Sequence, residues 1–194
     1  MKIKLTRNQL ITINALLCAI VLLFVFVPIT IGTVQLAFIP LVAIIVSAEF
    51  IGWKNGMFTG LFFGLVSLIS AIVRPSPLSF AFYNPMVSIV PRVLIGLSAY
   101  FAAAGVKKIS SKIPDYVSYS VGAIAGVVTN TVGVLGMIAA FYFGTTLEGT
   151  ATAITWPFIA GIIVSNSLLE IAICAVIVPP IVMALKTAFK NKYN

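Results

Sequence analysis

The chain alternates long apolar stretches with short polar connectors, and six stretches approach the roughly 20 residues that cross a bilayer core. They run over Leu10–Val27, Val34–Ile51, Met57–Val73, Pro85–Val106, Tyr116–Phe143 and Trp156–Leu185. The second is a little short, with Pro40 inside it and Glu49 near its end. Gly52-Trp53-Lys54-Asn55-Gly56 reads as a tight turn. Arg74-Pro75-Ser76-Pro77 ends the third span, because proline lacks a donor and disfavours helix in the residue before it. Asn84 is placed to cap a helix opened by Pro85. Gly144–Thr155 is a Gly/Thr-rich loop, and the last span is long enough to tilt or to be interrupted at Pro179-Pro180.

The pattern therefore predicts an all-α membrane protein, a six-helix bundle forming one domain over residues 1–194. Composition agrees. The chain is 61% hydrophobic and 8% charged, where a soluble domain carries roughly 25% charged residues. Met1–Leu10 followed by Ile11–Val27 superficially resembles a signal peptide. Its apolar part exceeds a typical h-region and no small-x-small cleavage site follows Pro28, so it reads as a retained first span.

Charge then orients the bundle. Ten of the twelve basic residues fall in four clusters: Lys2/Lys4/Arg7, Lys54, Lys107/Lys108/Lys112 and Lys186/Lys190/Lys192. The opposite loops carry only Arg74 and Glu148. By the positive-inside rule both termini are expected in the cytoplasm. The net charge of +8 flanks apolar segments instead of forming an aromatic-interleaved stripe. That fits anionic lipid and excludes nucleic acid.

Several chemistries lack their parts. There is no His, Cys18 and Cys174 lie in separate apolar runs, and the four acids form no metal constellation. No GxxxxGK[ST] loop is present, so the chain is not expected to hydrolyse ATP. With no paired acids and no His base, an enzyme is not indicated. A self-sufficient secondary transporter stays open, although no internal repeat is visible and Glu170 is its one deep acid.

What remains is a set of polar residues at intramembrane depth. Arg92 lies seven residues past Pro85, about 10 Å below the outer boundary at 1.5 Å per residue. Such a residue needs a partner or a water-filled cavity. It is either structural, bonded to Glu170 or to carbonyls, or a counter-ion for an anionic ligand. Asn130, flanked by Thr129 and Thr131, and Asn166, flanked by Ser165 and Ser167, fall at compatible depths in the fifth and sixth spans. Gln35, Asn84 and Tyr83 of the aromatic loop lie on the same outer side. Together these six residues would suit a small ligand with one carboxylate and several hydroxyl or amide groups. Separately, Ala15 and Ala19 place small side chains on one face of the first span, which permits close helix approach. Gly60/Gly64, Gly122/Gly126 and Ala99/Ala103 share the spacing and are expected to close the bundle.

These pieces resemble the substrate-capture subunits, or S-components, of energy-coupling factor (ECF) vitamin transporters over essentially the whole chain. Ala15-Leu-Leu-Cys-Ala19 matches the family's AxxxA motif. Ile51-Gly-Trp-Lys-Asn-Gly56 is similar to its turn between spans two and three. Asn84-Pro-Met-Val-Ser-Ile-Val-Pro-Arg-Val-Leu-Ile-Gly96 looks like the fourth-span signature of the pantothenate-type branch. The resemblance implies a non-catalytic subunit of a bacterial cell membrane. It would bind a water-soluble vitamin from outside, under loops joining spans one and two, three and four, and five and six. A transmembrane coupling subunit, docking on Ala15 and Ala19, and two ATPases would form its partners, with ATP and magnesium on the ATPases and no cofactor on this chain. The vitamin implied is pantothenate, with pyridoxine-type and other B vitamins open. Release would follow toppling of the subunit in the membrane.

Overall fold

A computed structural model describes residues 5–27, 29–31, 34–36, 38–110 and 112–190; the side chains of the 29–31 and 34–36 segments and of residue 190 lie outside the description. Among the described residues, five helical stretches are long and apolar enough to cross a membrane. They are α1 (Arg7–Phe26), α3 (Trp53–Val73), α5 with α6 (Pro85–Ser88 and Val90–Ile109), α7 (Asp115–Tyr142), and a last rod built from α8 (Trp156–Ile162), a π-helical turn (Ile163–Ser167) and α9 (Leu168–Lys190). The sixth apolar helix, α2 (Phe38–Phe50), has only 13 residues.

The expected second span over Val34–Ile51 is thus corrected. Val34–Leu36 forms strand β2, paired antiparallel with β1 (Ile29–Ile31), and helix begins only at Phe38. The Gly52–Gly56 turn is also shorter than expected. Gly52 takes φ 137°, a left-handed conformation that glycine tolerates, and α3 starts immediately at Trp53. Arg74 does end α3, and a four-residue helix, α4 (Ser79–Phe82), occupies the aromatic loop.

Helix α2 is the hub. Every residue from Pro40 to Phe50 except Val42 is buried, and α2 packs against α1, α3, α6, α7 and α9. A helix apolar on all sides belongs in the centre of a bundle. Glycines let its neighbours close around it. A methyl group at Gly56 would sit 2.5 Å from Ala48 Cβ, and one at Gly126 3.0 Å from Ile45. Gly60 and Gly64 meet the backbone of α6 and of Ile89 just before it, while Ala99 and Ala103 are buried against α7. The internal-packing expectation for these pairs holds. A polar chain further ties α1, α2 and α3: Asn14 Nδ2 donates to Asn55 Oδ1 (2.9 Å), and Thr59 Oγ1 donates to Ser47 Oγ (3.1 Å).

Loops build a second, smaller core at the opposite end from the lysine clusters. Leu147 and Ile154 of the 143–155 loop pack with Ala81, Val87, Val134, Leu135, Ile138 and Ile159. Glu148 N–H donates to the Pro77 carbonyl (3.1 Å), joining this loop to the one after α3.

Of the two alternatives for the last span, tilt or interruption at Pro179-Pro180, the interruption is absent, for α9 runs through both prolines. Pro179 cannot donate to the Ala175 carbonyl, and Ser120 Oγ donates to it instead, at 2.9 Å. A neighbouring hydroxyl satisfying a proline-freed carbonyl is how membrane helices tolerate proline. The break occurs earlier, at the π-turn.

Candidate functional site

Thirteen residues of α-helix span about 20 Å, whereas the bilayer core is ~30 Å thick. The centre of the bundle is therefore unfilled by helix beyond Phe38, the point where the β1–β2 hairpin joins α2. A cleft of about 380 Å³ opens there, lined by Phe24, Pro40, Phe63, Ser67, Ser79 and Arg92 among others.

Arg92 is 5% exposed, and local sequence dictates how it sits. Pro91 has no N–H, so the Val87 carbonyl four residues back loses its helical partner. The Arg92 Nη1 donates to that carbonyl. The guanidinium carbon lies 5.7 Å from the Phe63 ring centre and 5.2 Å from that of Phe82, within cation–π range of both. Nε is buried and has no partner among the described residues. One nitrogen thus braces the backbone, the carbonyl bond expected of a structural arginine, while Nε bonds to none of the described residues.

Asn130 faces the interior at the same level. Gly133, three residues on, abuts Pro91, and Gly126, four residues back, abuts Ile45 and Ile95, so Asn130 shares the face of α7 that meets α6 and α2. Its Oδ1 is buried, with no partner among the described residues. Asn166 lies in the π-turn, and its Oδ1 is likewise buried with no partner among the described residues. The π-turn packs against α7 and beside β2. Buried polar atoms are nearly always bonded, so these three atoms, which have no partner among the described residues, call for a water or a ligand.

The remaining candidates divide. Arg92 lines the 380 Å³ cleft; Asn130, Asn166, Asn84 and Tyr83 do not. Asn84 Oδ1 accepts from Met86 N–H at 3.0 Å, capping α5 as expected, and Tyr83 is exposed. The backbone of Gln35 lies in β2, while its side chain lies outside the described residues. Ala15 and Ala19 are both exposed, on a face of α1 continuous with Ile11, Leu16, Leu22 and Leu23. The same small-residue spacing is thus buried in α3, α6 and α7 and open on α1.

Sequence reasoning missed Phe63, Ser67 and Ser70. With Arg74 they form a stripe along α3 at helical spacing, and all four line the cleft. The signal was available as hydroxyls recurring on one side of an otherwise apolar helix.

Comparison with known proteins fits this arrangement. Residues 9–182 match the family described as "ECF transporter, substrate-specific component". The chain belongs to this family. It is 32% identical to the pantothenic acid transporter PanT of Lactococcus lactis subsp. cremoris, over 76% of each chain. It is also 30% identical to the pantothenate transporter PanT of Leuconostoc mesenteroides, over 85% of this chain and 86% of that one. The S-component is accordingly a multi-pass membrane protein and a transporter subunit.

Replacing Arg92 with Leu should lower stability by about 1–3 kcal/mol, because the Val87 carbonyl is left buried and unbonded. In a Pro91→Ala background residue 91 regains an N–H for that carbonyl, and the same replacement should cost less. Thermal unfolding of the four proteins in detergent checks this. Equal losses in the two backgrounds would show that Arg92 does not brace Val87.

Proposed function

We propose that this S-component captures pantothenate from outside the cell and delivers it to an ATP-hydrolysing ECF module. The observation that carries the reading is Arg92: a permanently charged guanidinium, buried at the wall of a recess, with Nε bonded to none of the described residues. A carboxylate is its natural counterpart, and a charge-assisted bond is roughly twice as strong as a neutral one. Asn130 and Asn166 offer carbonyl oxygens to the hydroxyl and amide donors of the same molecule, and Ser67, Ser70 and Ser79 add hydroxyls. The names of both relatives support the vitamin. The chain contributes binding and no covalent step.

In this reading α2 counts as a short sixth span, and both termini lie in the cytoplasm of a bacterial cell. The hairpin, the loop around α4 and the 143–155 loop cover the vitamin. The exposed face of Ala15 and Ala19 receives the transmembrane coupling subunit, two ATPases complete the assembly, and the S-component topples to release its cargo inside.

Equilibrium binding of the purified chain against a panel of B vitamins tests the substrate. Pantothenate should bind and the others should not; selective binding of a different vitamin would replace it. Ala15→Trp with Ala19→Trp should abolish ATP-dependent uptake in vesicles holding the ECF module, yet leave binding within about twofold, since bulk on a small-residue face blocks helix approach only. Loss of binding would mean that the pair serves the fold. For sidedness, cysteines at Phe80 and Thr150 should label from outside intact cells and one at Ser110 should not; labelling at Ser110 would reject the topology.

A further inference from the structure

Glu49, the penultimate residue of α2, is 6% exposed, and neither of its carboxyl oxygens has a hydrogen-bond partner among the described residues. It takes no part in the cleft, which Pro40 borders near the other end of the same helix. A slot is nonetheless kept for it. Gly122 of α7 comes so near that a methyl group there would collide with Glu49 Oε1 and with the Ala99 carbonyl of α6. On the same face of α7, three residues back, Tyr119 accepts a hydrogen bond from Lys186 Nζ of α9 at 2.6 Å, and the ammonium lies 4.5 Å from the ring centre. Lys186 also acts electrostatically on Glu49, yet the two form no ion pair. The other charges nearby are engaged with each other: Asp115 of α7 lies 2.5 Å from Lys107 Nζ of α6. From α1 and α3, no charged or titratable group among the described residues acts on Glu49.

A carboxylate buried without a donor is among the costliest groups a protein can hold, and its two escapes are a proton or a counter-ion. Glu49 has both within reach. We infer that Glu49 is a proton site, and that its proton decides which partner Lys186 takes. With the proton bound, the carboxyl is neutral and Lys186 rests on Tyr119, the arrangement in this structure. On release, the Glu49 O–H bond breaks and the proton passes to water at the lysine-cluster end of the bundle. The Lys186 ammonium keeps its three hydrogens and swings from Tyr119 Oη to the carboxylate. Lys186 is half-buried, and its flexible four-carbon stem permits the swing. The new ion pair would join α9 to α2 directly. In the protonated state the two helices meet there through apolar contact, such as Phe50 with Phe189, ring centres 5.5 Å apart. The result is a proton-operated clamp on the helix around which the bundle is packed. It holds whichever vitamin the cleft takes.

Infrared difference spectroscopy of the full chain in lipid reads this site, because the chain has four acidic residues and an un-ionised carboxyl has a carbonyl band of its own. Near neutral pH, Glu49→Gln should lose one such band, and raising the pH should bleach the same band in the unmodified chain. Two further variants test the switch. Lys186→Met should let the band persist to higher pH, since the ionised form loses its counter-charge. Tyr119→Phe should make it fade at lower pH, since Lys186 then has no resting partner to leave. Opposite shifts from two residues that do not touch the carboxyl are the signature of an exchange of partners; an acid that is merely buried would not give them. Glu49→Gln keeps the shape of the side chain and needs no counter-ion, so it should fold; should Lys186→Met not fold, Tyr119→Phe decides the switch. No band lost in Glu49→Gln near neutral pH overturns the inference. So does a band that appears only once sodium and potassium are removed, which would mark a metal cation in place of the proton. An unshifted band in Tyr119→Phe, or shifts of the same sign in both variants, overturns the exchange of partners.

Discussion

A central helix shorter than the bilayer core is thick sets the rest of this structure. Because α2 begins at Phe38 and is buried on nearly every side, its neighbours must both wrap it closely at one end and enclose a vacancy at the other. The wrapped end is achieved with glycine and alanine at Gly56, Gly60, Gly122, Gly126, Ala99 and Ala103. At the vacant end the helices carry polar and aromatic groups instead: Arg92, Phe63, Phe82, Ser67 and Ser70. Close packing holds the bundle together at one end, and the two turns by which α2 falls short leave the cleft at the other.

Proline placement couples backbone to site. In a membrane each freed carbonyl must find another donor. Pro179 frees Ala175, and the Ser120 hydroxyl takes the role; Pro91 frees Val87, and Arg92 does so. The second substitution has a consequence beyond the fold. One guanidinium nitrogen is fixed on the backbone and two aromatic rings lie within cation–π range, so the side chain is braced in the unliganded chain. Preorganisation of this kind lowers the ordering cost of binding.

Much of this was legible in the residues. Apolar run lengths located the helices, Arg74-Pro75-Ser76-Pro77 and Asn84-Pro85 marked real joints, and Arg92, Asn130 and Asn166 stood out because polarity at such depth is costly. Other features were hidden for physical reasons. Val34–Leu36 is as apolar as a helix end, and only its pairing with Ile29–Ile31 makes it a strand. A π-turn adds one residue to a rod that is apolar throughout, so periodicity does not betray it. The tandem prolines looked like a break because the rescuing hydroxyl of Ser120 lies on another helix. Small-residue spacing was equally blind: Ala15/Ala19 and Gly60/Gly64 read alike, and only burial tells an outer face from an inner one.

The central claim is that a buried, preset guanidinium recognises a ligand carboxylate. It is tested most directly by calorimetric titration of the purified chain and its Arg92→Ala variant with pantothenate and with the analogue whose carboxylate is amidated. The account predicts that the amide binds the unmodified chain far more weakly than the acid, and that Arg92→Ala costs the acid much more than the amide. Equal losses for acid and amide on Arg92→Ala would contradict it and leave Arg92 as a brace for Val87 alone.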